Sequence, residues 1–73
     1  MTKEILDSII STMDFNDLFE LAESHLCELY IIKNKDRNLL RKEYGLKEDL
    51  ENDSEENLIK TIYKINAEIM KNR

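Results

Sequence analysis

The chain has no proline and a single glycine, Gly45, in 73 residues. Proline removes a backbone donor and clashes with the preceding turn, and glycine opens conformations that other residues avoid. With both nearly absent, the sequence has few places to stop a helix. Charged residues make up 37% and apolar residues 41%, enough for a solvated face and a core, which argues against disorder. The expectation is an all-α protein, one domain over residues 1–73.

Apolar spacing predicts three helices. In the first, about 3–12, Ile5, Leu6, Ile9, Ile10 and Met13 share one face, and Thr2 is a candidate N-cap. M-D-F-N-D-L marks the next start: Asp14 is the cap, with Asp17 in the capping-box position. Met13 and Leu18 are spaced as a hydrophobic staple. The third helix, about 54–71, carries Leu58, Ile62, Ile65 and Ile69 on one stripe. Asp53 with Glu56, or Ser54 alone, caps its start, and Lys71 and Arg73 suit the negative end of its dipole.

Between these ends the middle helix raises a question. After Ile32 come six polar residues, K-N-K-D-R-N, before Leu39 and Leu40. Eighteen residues at about 100° each make five turns, so Ala22 aligns with Leu40, Leu26 with Tyr44, and Phe15 with Lys33. The stripe resumes in phase, which predicts one continuous helix over 15–44, about 45 Å long. Gly45 suits the left-handed position just past its end, with Leu46 folding back on Leu40. Residues 46–52 form an acidic connector, with room for one helical turn joining Leu46 and Leu50.

Helices of about 15 Å and 27 Å cover the length of the middle one but not the width of its apolar stripe. Phe15, Leu21, Ile31, Ile32 and Leu39 would stay partly exposed, which predicts a homodimeric helical bundle. Its seam would be Phe15, Leu18, Ala22, Leu26, Leu29, Ile32, Leu40 and Tyr44. Lys33, on the stripe with Asp36 and Arg37 beside it, would set register between subunits by cross-pairing.

The net charge is −5, unevenly spread. Residues 1–32 carry −6, residues 33–42 carry +4, residues 43–57 carry −6 and the last sixteen carry +3. An acidic protein is a poor general ligand for nucleic acid. The basic block remains the strongest candidate interaction site: Lys33, Lys35, Asp36, Arg37, Arg41 and Lys42. Three readings stand open for it, namely pairing with the chain's own acids, docking of a protein partner, and contact with nucleic acid. It lacks the interleaved aromatics of a nucleic-acid surface.

Little else suggests chemistry. His25 and Cys27 lie about 200° apart on a helix, so they form neither a dyad nor a shared metal site. The acids Glu20 with Glu23, and Glu48, Asp49 and Glu51, come without a phosphate loop or a nucleophile motif, and read as solvated faces. No catalytic residue, cofactor or metal is expected. A lone cysteine, the lack of a signal peptide and the lack of a membrane-length apolar run point to the cytoplasm.

Richness in Lys, Asn, Ile and Glu, no proline and an acidic all-helical chain give this sequence its character. In this it resembles the small early accessory proteins of T4-like bacteriophages. The resemblance is one of composition. It implies a non-enzymatic protein that binds host or phage machinery in the host cytoplasm, often as a small oligomer.

Overall fold

A computed structural model describes residues 2–47 and 49–72. Among them all regular structure is helical: α1 Lys3–Ile10, α2 Phe15–Lys33, α3 Arg37–Glu43, a 3-10 turn at Leu50–Asn52, and α4 Glu55–Lys71. Each start has a side-chain cap. Thr2 accepts from the Ile5 amide, Asp14 from Asp17, Asp36 from Asn38, Asp49 from Glu51 and Ser54 from Asn57. The expected capping box is complete, because Asp17 accepts in return from the Asp14 amide. Of the staple pair, Leu18 belongs to the core and Met13 packs against it, partly buried.

α1 stops two residues earlier than the apolar spacing suggests. The Ser11 and Thr12 hydroxyls donate to the carbonyls of Ser8 and Ile9, satisfying the last turn with side chains. α3 stops where expected. Gly45 is left-handed (φ 71°); its amide donates to the Lys42 carbonyl, and Leu46 donates to Arg41 at 2.9 Å. These two bonds make a complete Schellman cap. Leu46 and Leu50, bracketing the acidic connector, are both buried.

The main correction concerns the middle helix. Residues 15–44 are two helices, not one. Asn34 takes the left-handed conformation, φ 53° and ψ 43°, at the end of α2. The Asp36 carboxylate then accepts from the Asn38 amide at 2.7 Å and starts α3. Asparagine enters this region more cheaply than most non-glycine residues, so the absence of glycine did not prevent a break. The polar gap is a three-residue hinge, and α3 folds back antiparallel along α2: Arg37 faces Cys27, and four residues on Arg41 faces Glu23, four residues back.

The core forms mainly between α2 and α4, closed by Leu6 of α1, Leu40 of α3, and Leu46 and Leu50 of the connector. The Cα radius of gyration is 11.5 Å, close to the roughly 11 Å of a compact chain this long. Of the residues assigned to a dimer seam, Leu18, Ala22, Leu26, Leu29 and Leu40 are buried within the single chain. Phe15 and Tyr44 are partly buried against the same core, and Ile32 is exposed.

Candidate interaction surface on the helical hairpin

The hinge places the basic block at one end of the molecule, along the last turn of α2 and the whole of α3. Lys33 crosses to α4 and pairs with Glu68 at 2.7 Å. This contact raises the Lys33 pKa and lowers that of Glu68, each charge favouring the other. Lys35 of the hinge pairs with Glu43 at the end of α3 at 3.2 Å, and Arg41 reaches Glu23 of α2 at 2.8 Å. The Arg37 guanidinium donates to the Cys27 sulfur and lies over the Tyr30 ring, 5.9 Å from its centroid. Asp36 is taken up as the α3 cap. Lys42 is exposed on the outer face of α3.

Intramolecular carboxylates therefore neutralise three of the five cations. The block holds the hairpin closed, α3 to α2 and α2 to α4. The same stretch carries apolar side chains open to solvent: Ile31 is 75% exposed and Leu39 58% exposed. Tyr30 and Ile32 are exposed to a lesser degree. Leu39 lies in a shallow depression walled by Lys35, Lys42 and Glu43.

His25 and Cys27 lie apart, as their spacing requires. His25 is buried, 6% exposed, between α2 and α4. Its Nδ1 donates to the Leu21 carbonyl at 3.1 Å, and the Asn66 side chain of α4 supplies a second bond. Burial pushes its pKa below the ordinary value, against those two bonds and the nearby Glu28. Cys27 is partly buried on the α3 side. Among the described residues, no group of three or more His, Cys, Asp or Glu could hold a metal, and no helix is long and apolar enough to cross a membrane.

Two polar arrangements follow from the fold rather than from sequence spacing. Asp53, 8% exposed, does not itself cap α4; it ties the connector to it. Burial would raise its pKa, but donors from the Lys47 backbone (2.9 Å), the Asn57 side chain (2.9 Å) and the Ser54 backbone (2.8 Å) outweigh that and hold it below the usual carboxylate range. The Tyr63 hydroxyl donates to Asp7, joining α4 to α1, and this raises the tyrosine pKa. Of the acidic trio in the connector, Asp49 caps the 3-10 turn and Glu51 is exposed. Glu48, like Arg73, lies outside the described residues.

No family model matches the chain, and neither the curated proteins nor the solved structures contain a match to it.

Proposed function

We propose that this protein is a non-enzymatic protein-interaction module that works as a small helical homodimer. The reading rests on one observation: a chain with a complete core of its own still leaves Ile31 and Leu39 open to solvent at the hairpin end. Leaving isolated leucine and isoleucine side chains in water forgoes roughly 1.5–3 kcal/mol apiece. On a small helical protein such residues are the natural anchors for a partner. The compositional resemblance to phage accessory proteins adds the setting, a modulator that engages a component of the host.

The competing reading is contact with nucleic acid through residues 33–42. Three of its cations are already paired with Glu68, Glu43 and Glu23, so a phosphate would have to displace a carboxylate at each. That favours the protein-interaction reading. The two are separated by a salt-dependent gel shift together with sedimentation equilibrium at micromolar concentration. The reading expects dimers that Ile31→Glu with Leu39→Glu weakens, and no DNA or RNA shift that Lys35→Glu with Arg37→Glu abolishes. A chain that stays monomeric and retards nucleic acid would reverse the order of the two readings.

A further inference from the structure

We propose that two copies of this chain exchange their C-terminal halves. Asn34 passes from the left-handed turn into helix, residues 15–44 run straight, and residues 35–72 of each copy pack on the N-terminal half of the other. The inference rests on the homodimer reading and specifies how that dimer is built.

Three observations carry it. The first is the hinge itself. Only three residues, 34–36, join α2 to α3, and the turn holds a non-glycine residue, Asn34, at φ 53°. A short hinge favours exchange, because straightening it relieves the modest cost of a left-handed asparagine while the other contacts between the two halves are remade between chains. The second is phase. Eighteen residues make five turns, so a straightened helix keeps Ala22 and Leu40, both buried in the closed chain, on one stripe. Straightening therefore leaves both residues on one face of the helix.

The third is the symmetry of the α2–α3 contact. Glu23 faces Arg41 and Cys27 faces Arg37; both pairs are centred on position 32, as are positions 30 and 34. In a straight helix 23, 27, 30, 34, 37 and 41 alternate steps of four and three, the spacing of a coiled-coil seam. Two such helices laid antiparallel, with a twofold axis at position 32, would place Glu23 on Arg41 of the second copy and Cys27 on its Arg37. Tyr30, exposed in the closed chain, would then meet Asn34 of the second copy, and Ile31 would flank the axis.

The closed and exchanged forms share the Glu23–Arg41 and Cys27–Arg37 contacts, so hinge preference, the contacts added at the axis and concentration decide between them. Asn34→Ala makes the left-handed turn costlier and the straight helix cheaper. It should tighten the dimer on the order of tenfold, with two hinges changing per dimer; Asn34→Gly should loosen it. The decisive test mixes a Glu23→Lys chain with an Arg41→Glu chain, refolds them together and counts dimers by native mass spectrometry. Each variant alone sets like charges against each other. An exchanged heterodimer restores opposite charges at both contacts, so heterodimers should well exceed the half share of random pairing. The doubly substituted Glu23→Lys/Arg41→Glu chain, which keeps the pair within one molecule, controls for folding by circular dichroism. Dimers present at the random share would mean that copies associate side by side, overturning the exchange while leaving the homodimer reading intact. Monomers throughout, in Asn34→Ala as well, would remove both.

Discussion

The α2–α4 interface and the α2–α3 hairpin share a helix but are held by different physics. Against α4, α2 presents Leu18, Ala22, Leu26 and Leu29 to Leu58, Ile62, Ile65 and Ile69, all of them almost completely buried. Against α3 it presents Glu23, Cys27 and Tyr30 to Arg41 and Arg37, and from α3 only Leu40 joins the core. A non-directional apolar seam leaves the registry of surface groups free. A seam of charges fixes registry while adding little free energy. The first region makes the molecule stable; the second decides how its C-terminal half is placed.

The largest test of that contrast compares Ile62→Ala with Leu40→Ala. Both side chains are fully buried, and truncation of either costs about 2–5 kcal/mol at its own site. For Ile62 the loss should appear in global unfolding, as a lower denaturant midpoint. For Leu40 it should appear first as local opening, with amide exchange rising across residues 40–43 while α4 stays protected. Equal loss of protection in both helices of the Leu40 variant would break the contrast.

The apolar half of this architecture was legible in the sequence. Stripes at three- and four-residue spacing, the capping box at Asp14 and the glycine cap at Gly45 each follow from a local rule with a strong geometric signature. The hinge was not legible for a physical reason. Asparagine is tolerated both inside a helix and in the left-handed region, and Asp36 reads equally as a poor helix former or as a cap. What selects the turn is tertiary: within a single chain, α3 can bury Leu40 and pair Arg41 only by folding back. The same holds for the candidate site. The basic block was visible as a charge run, but its pairing with Glu68, Glu43 and Glu23 depends on a fold that charge counting does not supply.

Asp53 extends the comparison to the connector, where one buried carboxylate does the work of a small core. Asp53→Ala should destabilise by about 1–3 kcal/mol, since three donors lose their acceptor. The pH dependence has a definite sign. The folded-state pKa lies below the ordinary 3.8, so the unfolded chain binds the proton more readily. This contribution is complete above that value and disappears as pH falls through the folded-state pKa. Thermal melts from neutrality to strong acid should show a steeper acid-side loss for the wild type than for Asp53→Ala; parallel curves would show that the carboxylate is not what ties the connector to α4.

Gly45 and Asn34 sharpen the contrast at the two ends of α3, since both are left-handed. A Cβ at Gly45 would meet nothing within 4 Å, so Gly45→Ala isolates the backbone cost, about 1 kcal/mol. Chemical denaturation should register that loss with no change in the slope against denaturant. A much larger loss would mean that the cap supports more than α3.

His25 titrates inside the stronger interface. Burial lowers its folded-state pKa below 6.5, so the unfolded chain takes up the proton first as pH falls. Stability from the neutral imidazole is full above 6.5 and declines below it. His25→Gln should flatten the dependence between neutral and mildly acidic pH without touching the acid limb that belongs to Asp53. An unchanged profile in that window would assign the titration elsewhere.

The smallest effect belongs to the hairpin's outer charges. Lys35 and Glu43 pair at 3.2 Å with side chains about half exposed, where solvent and salt screen the attraction and side-chain entropy opposes it. Lys35→Met should leave the unfolding midpoint unchanged within the error of the measurement, at low salt as at high. A clear, salt-dependent loss would mean that this pair is coupled to the Arg41–Glu23 contact, and that the hairpin's charges act as a network rather than as separate surface pairs.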